Sequence, residues 1–125
     1  MIAFDSNVLI YTLREDPFLQ KEARAVFKEI ALKGGVCSTL VITEVLYGDL
    51  KSLTQIPLLR SPKIKLIDVD PHIAEKAGQL RATYGLKNID AVHIATAIIT
   101  GAQVFVTNDQ KILKQKVPGL IIRGL

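Results

Sequence analysis

The stretch NIDAVHIATAIITGAQVFVTND, residues 88–109, decides the fold. Its first half is apolar on every side, which is typical of a helix between two layers, and we predict that Asn88 caps a helix over Ile89–Thr100. Gly101 ends that helix, and Val104–Val106 then forms a short apolar strand. The strand runs directly into Thr-Asn-Asp. A buried helix followed by a buried strand is typical of an α/β protein with a parallel sheet.

The same alternation of strands and helices extends over the rest of the chain. The predicted strands are Ile2–Phe4, Val36–Ser38, Ile64–Val69, Val104–Val106 and a last apolar piece at Leu120–Ile122. The predicted helices are Val8–Leu13, Phe18–Lys33, one capped by Thr39, one from Asp70-Pro71 to the stop at Gly85, Ile89–Thr100 and a short basic one at Lys111–Lys114. The segment Asp49–Lys63 predicts an irregular helical connection. Helical crossovers favour a three-layer α/β/α sandwich with a central parallel sheet of four to five strands.

Composition limits the class of protein. With 125 residues, 49% hydrophobic and 22% charged, the chain suits a single domain over residues 1–125 and excludes a long disordered protein. Its net charge of +4 favours a polyanionic partner, and Lys111, Lys114 and Lys116 either steer RNA or form a solvated face. The single Cys37, the absence of a signal-peptide pattern and the shortness of the apolar stretch at 89–100 predict a cytoplasmic protein without a membrane segment.

Four acidic residues, the acidic quartet, occupy positions where a plain surface role is hard to explain. They are Asp5, Glu44, Asp90 and Asp109. Asp5 and Asp109 follow strands at their carboxyl ends, which is the edge where open α/β sheets bind ligands. Glu44 falls on the apolar side of its helix, and Asp90 begins a helix that is otherwise apolar. Ionised carboxylates in such places need a positive counter-charge.

A divalent metal ion is the simplest counter-charge for the acidic quartet, because no Lys or Arg lies close in sequence on the same apolar sides. Carboxylate oxygens without accompanying Cys or paired His suit Mg²⁺ or Mn²⁺ and argue against a structural zinc. The quartet then forms an acidic pit in a basic surface. That arrangement suits a phosphodiester substrate better than a small neutral one.

Four segments of the chain together resemble the PIN domain family. They are MIAFDSN at 1–7, TEVLYG at 43–48, GLKNIDAVHIATA at 85–97 and FVTND at 105–109. Their order and spacing extend over nearly the whole chain. Small single-domain PIN proteins of this type resemble the VapC-like toxin ribonucleases of type II toxin-antitoxin pairs.

The resemblance implies a function and a set of partners. The implied activity is that of a Mg²⁺- or Mn²⁺-dependent endoribonuclease that hydrolyses RNA phosphodiester bonds, with the acidic quartet as catalytic and metal-binding residues. Asn7 and Thr107 match the polar supports of that quartet. A homodimer and a cognate antitoxin protein that occludes the site are also implied. The segment Asp49–Lys63 is short for the helical pair usual there, which leaves substrate selection and the dimer surface open.

Two other functions are weighed against this one. A phosphotransfer domain of the receiver or haloacid-dehalogenase type also has an Asp after its first strand, but the sequence Asp-Ser-Asn at 5–7 is not Asp-x-Asp, and no acidic pair adjoins the strand. A non-catalytic PIN-like module that binds RNA or a protein stays open as the alternative. An intact acidic quartet argues against it.

The acids also have structural interpretations. Asp5, Asp90 and Asp109 stand near helix starts, where an Asp caps the helix or interacts with its dipole, and capping does not exclude metal binding. Glu44 has no evident partner in the sequence. His93, one turn after Asp90, is interpreted as a hydrogen-bonded packing residue and is not included in the predicted catalytic set.

Overall fold

The computed structural model describes residues 1–12, 17–46 and 59–125. In these ranges strands and helices alternate along the chain. The strands are β1 (Ile2–Phe4), β2 (Gly35–Ser38), β3 (Ile64–Ile67), β4 (Val104–Val106) and β5 (Ile121–Arg123). The helices are α1 (Ser6–Tyr11), α2 (Pro17–Lys33), α3 (Leu40–Val45), α4 (Pro71–Tyr84), α5 (Asn88–Ile99) and α6 (Gln110–Leu113).

The five strands form one sheet in the order β3-β2-β1-β4-β5, and every pair is parallel. In the register of β1 and β4, Phe4 lies opposite Val106, so the residues that follow these two strands leave the sheet side by side. The chain moves outward from β1 in one direction through β2 and β3, and in the other direction through β4 and β5. The strand order therefore reverses between β1 and β4, and open α/β sheets bind ligands at the carboxyl ends of the strands at such a point.

The core has two halves, one on each face of the sheet. Alternate strand residues point to opposite faces, so Ala3 and Phe105 pack with α4 and α5, whereas Ile2 and Phe4 pack with α1, α2 and α3. Helix α5 is buried over residues 91–97 because it lies against both α4 and the sheet. The predicted three-layer sandwich with a parallel sheet is confirmed, with five strands.

Two predicted helix caps, Thr39 and Asn88, make no side-chain capping bond. Thr39 already has helical backbone angles, and its side chain makes no capping bond; the hydroxyl of Ser38 instead accepts a hydrogen bond from the Leu40 N–H at 3.2 Å. Asn88 is the first helical residue of α5, and the extended position before it belongs to Lys87, which has no capping side-chain bond. For α5 the cap position is displaced by one residue, and for α3 the position is right but the side-chain bond belongs to Ser38.

The boundaries of α4 are confirmed. Asp70 accepts a hydrogen bond from the Ile73 N–H at 2.8 Å, and Gly85 ends the helix in the left-handed region with φ of 66°. Strand β3 is two residues shorter than predicted because its neighbour β2 ends opposite Ile67. The predicted irregular connection at 49–63 lies outside the described residues up to residue 58.

Among the described residues, no helix has both the length and the apolar character that a membrane-spanning segment requires.

Gly35, the first residue of β2, has no room for a side chain. A Cβ at this position would lie 2.7 Å from Cγ2 of Ile30, a β-branched side chain that is 2% exposed. We expect Gly35→Ala to lower the free energy of unfolding by about 1–3 kcal/mol, measured by urea denaturation. Gly78→Ala on α4 is the matched control: its Cβ would meet nothing within 4 Å, so it should raise stability by roughly 0.5–1 kcal/mol. Equal stability of the two variants would contradict the steric argument.

Candidate active site

Asp5 and Thr107 form the centre of the site, at the carboxyl ends of the neighbouring strands β1 and β4. Asp5 caps α1 by accepting a hydrogen bond from the Asn7 N–H at 3.2 Å. Its second carboxylate oxygen accepts a hydrogen bond from the Thr107 hydroxyl at 2.5 Å. The same hydroxyl oxygen accepts from the Asp109 N–H at 3.1 Å. One buried threonine thus fixes Asp5 and the backbone that precedes α6.

Burial raises the pKa of Asp5 from 3.8 to about 6. The side chain is removed from water, which disfavours the ionised form. The Thr107 hydroxyl, the electrostatic interaction with His93 and the backbone N–H groups of Val8 and Asn7 act in the opposite direction but do not offset the burial. Because burial disfavours the ionised form of Asp5, a positively charged ligand beside it would stabilise that form.

Glu44 on α3 is held by a residue 49 positions away. Nε2 of His93 on α5 lies 2.6 Å from Oε1 of Glu44, and the two side chains are 1% and 30% exposed. The Nδ1 atom of His93 is buried and has no hydrogen-bond partner among the described residues. Among the described residues, the side chain of His93 therefore hydrogen-bonds to Glu44, whose own side chain stays partly exposed.

Asp90 lies close enough to the carboxylate of Asp109 to be affected by its charge. Asp90, in the first turn of α5, is half-buried, and its pKa is raised by burial first and then by the carboxylate of Asp109, with Glu44 adding to the effect. His93 and Lys87 lower it. Asp109 caps α6 by accepting a hydrogen bond from the backbone N–H of its second residue at 2.8 Å. The predicted capping role of Asp109 is confirmed.

Asp90 interacts electrostatically with Asp109 and Glu44, and both Asp5 and Asp90 interact with His93. Among the described residues, no three His, Cys, Asp or Glu side chains are grouped closely enough to hold an ion. The donor chemistry fits a hard divalent cation, because all four acids supply oxygen. The mutual repulsion that raises the pKa of Asp90 is also what a cation would relieve. The catalytic and metal-binding roles of the quartet stay predictions.

The structure shows how three residues around the acidic quartet are bonded. The prediction that His93 is a hydrogen-bonded packing residue is confirmed, and its partner, which the sequence did not reveal, is Glu44. The only available signal was its place one turn after Asp90, on the same side of the helix. Asn7 contributes its backbone N–H to Asp5, and no side-chain hydrogen bond of Asn7 is formed with a described residue. Thr107 makes the side-chain contact expected of a polar support.

Comparison with known proteins gives one family match. The model of the PIN domain family matches residues 2–117, which include the acidic quartet. No curated protein matches the sequence.

Solved structures with the same fold come from toxin-antitoxin systems. One is VapBC2 from Rickettsia felis bound to a DNA fragment from its promoter. It has a TM-score of 0.73 and 22% identity, over 99% of this chain and 98% of that chain. A toxin-antitoxin complex from Klebsiella pneumoniae has a TM-score of 0.67 and 27% identity, over 96% and 94%. DNA-bound VapBC from Salmonella typhimurium has a TM-score of 0.69 and 21% identity, over 98% and 96%.

Proposed function

Because the chain belongs to the PIN domain family, whose members are generally nucleases, we propose that it is a divalent-metal-dependent endoribonuclease and the toxin of a toxin-antitoxin pair. The observation that carries the proposal is the position of the acidic quartet. Its residues follow β1 and β4 or lie on α3 and α5, around the point where the strand order reverses, and the carboxylates of Asp109 and Glu44 raise the pKa of Asp90. A site of this kind suits a doubly charged cation and a phosphodiester.

The residues of the chain have distinct tasks in the proposed reaction. Asp5, Glu44, Asp90 and Asp109 would hold Mg²⁺ or Mn²⁺. When bound, the cation supplies Lewis-acid stabilisation of the charge that develops on the phosphate. Thr107 fixes the rotamer of Asp5 through its hydroxyl, and His93 fixes Glu44 through Nε2, so two of the four carboxylates are held in place before any ligand arrives. No nucleophilic side chain is required.

The proposed partners follow from charge and from the solved structures. RNA suits the net charge of +4 and the lysines near the site. The structures with the same fold are toxin-antitoxin complexes, which supports a cognate antitoxin for this chain. A homodimer in the cytoplasm remains part of the proposal, on the strength of the family resemblance.

The test is a cleavage assay on single-stranded and structured RNA with Mn²⁺, with and without a chelator. We expect the wild type to cleave. Chelation or Asp90→Asn should lower the rate on the order of 100-fold or more, because each removes or weakens the binding of the cation that stabilises charge on the reacting phosphate. Glu75→Gln, the same chemical change at an exposed position on α4, is the matched control and should cleave like the wild type.

Two outcomes would contradict the proposal. Equal cleavage by the wild type and Asp90→Asn would indicate a contaminating nuclease. RNA binding without cleavage by the wild type, at any Mn²⁺ concentration, would favour the non-catalytic PIN-like module.

A further inference from the structure

A cleft of about 240 Å³ opens beside the acidic quartet. It lies between the end of α4, the loop that leads into α5, and helix α6. The lining residues with polar or charged side chains are Tyr84, Lys87, Asp90, Lys111, Lys114 and Gln115. Because Asp90 forms part of its wall, whatever occupies the cleft is next to the proposed reaction centre.

The cleft carries excess positive charge. Lys87, Lys111 and Lys114 are all exposed, and Asp90 is the acid among its lining residues. None of these lysines forms a salt bridge with a described residue, whereas Lys33, on α2, is paired with Glu29. Three ammonium groups without paired carboxylates make the cleft attractive to an anion of more than one charge.

We infer that this cleft binds the nucleotide adjoining the scissile phosphate of a single-stranded RNA, an assignment that rests on the proposed function. The lysines contact the backbone phosphate next to the one at the acidic quartet. The half-buried ring of Tyr84 offers a surface on which one base stacks. A base inside a duplex has its faces covered by its neighbours, so the cleft selects an unpaired strand.

A second basic surface exists on α2, but it is a weaker candidate. Lys21, Arg24 and Lys28 line a shallow concave region there. That region includes no member of the acidic quartet, so RNA bound to it is not thereby placed for cleavage. The cleft on the α6 side combines the cations with Asp90, a proposed metal-binding carboxylate, and the α2 surface provides a control of matched charge.

The experiment measures binding of a fluorescently labelled single-stranded RNA by anisotropy, over a range of salt concentrations, with a chelator present to prevent cleavage. The double variant Lys111→Gln/Lys114→Gln should weaken binding about tenfold. The slope of log K against log salt should become shallower by about 0.7, since the lysines contact one phosphate and each neutralised phosphate on a single strand contributes about 0.7. Tyr84→Leu should weaken binding about fivefold or more, and Tyr84→Phe should restore it. The control Lys21→Gln/Lys28→Gln should bind like the wild type.

Four results would overturn the assignment. Loss of affinity in the α2 control but not in the cleft variants would place the RNA along α2. Equal RNA binding by Tyr84→Leu and Tyr84→Phe would show that no base stacks on the ring of residue 84. Cleft variants that bind RNA normally but lose affinity for a poly-glutamate peptide would make the cleft a site for an acidic protein segment. A wild type that neither binds nor cleaves the RNA would overturn the proposed function together with this assignment, whereas the first three results leave Mn²⁺-dependent cleavage intact.

Discussion

Replacing Asp5 with Asn is expected to raise the stability of the metal-free protein near pH 7.5 while it removes Mn²⁺-dependent cleavage. The pKa of Asp5 is raised from 3.8 to about 6 because burial disfavours the ionised carboxylate. The native state therefore holds this proton more tightly than the unfolded state. The stability that Asp5 contributes is fully present below pH 3.8 and is lost as the pH rises through about 6.

The size of the effect follows from the shift. A displacement of about two pKa units amounts to about 3 kcal/mol once the group is ionised in both states. Asn is uncharged like the protonated acid, so the variant does not lose this free energy at high pH. Its amide accepts the hydrogen bonds from Asn7 and Thr107 less well than a carboxylate does, which lowers the stability of the variant by about 1 kcal/mol. We expect Asp5→Asn to be more stable than the wild type by about 1–2 kcal/mol near pH 7.5.

The pH dependence separates this explanation from a general repacking effect. Urea denaturation in the presence of a chelator should show the difference between variant and wild type growing by about 2 kcal/mol from about pH 4.5 to about pH 7.5. Glu75→Gln should show no such growth, because that side chain is exposed on α4. A difference that stays constant with pH would mean that ionisation of Asp5 does not oppose folding. The same variant should cleave RNA at least about 100-fold more slowly than the wild type with Mn²⁺.

The architecture and the positions of the strand-end acids were predictable from local sequence. Short apolar runs ending in Asp5 or in Thr107 define strand ends without reference to the rest of the fold, and a parallel sheet then brings those ends to one edge. The helix from Asp70 to Gly85 was equally readable, since its start and its stop are both marked by residues with specific capping chemistry. Local rules were sufficient wherever the determining atoms are adjacent in sequence.

The pairing of Glu44 with His93 was not predictable, for a physical reason. The two residues belong to helices on different sides of the site, and their contact depends on how those helices are placed around the sheet edge. The cap of α3 failed for a related reason: Thr39 and Ser38 are both good capping residues, and only the backbone angles decide between them. Tertiary placement and backbone conformation are not encoded in residue spacing.

Mn²⁺ is expected to stabilise the wild type strongly and to leave variants of the acidic quartet nearly unaffected. An ion that binds the native state alone adds about 2.7 kcal/mol at a concentration of 100 times its dissociation constant. For a chain of this length that corresponds to a rise in melting temperature of roughly 10 °C. Glu44→Gln and Asp109→Asn each remove a charged oxygen donor and should lose most of the rise, whereas Glu75→Gln should keep it.

The rise should also depend on pH in a defined direction. Asp5 and Asp90 both have raised pKa values, Asp5 mainly through burial and Asp90 through burial and the nearby carboxylate of Asp109. Protons therefore compete with the ion for these oxygens, and binding releases them. Melting curves with saturating Mn²⁺ should shift more near pH 7.5 than near pH 5, and the difference should be smaller in Asp5→Asn.

A wild-type melting curve indifferent to millimolar Mn²⁺ would contradict a cation site on the acidic quartet, even if the fold is intact. An equal rise in the wild type and in Glu44→Gln would indicate ions bound elsewhere. The carboxylates of Asp109 and Glu44 raise the pKa of Asp90, and in the described part of the chain the only basic groups acting against them are His93 and Lys87. His93 already has Glu44 as its partner, and Lys87 is exposed to solvent, which leaves a bound divalent ion as the stronger counter-charge.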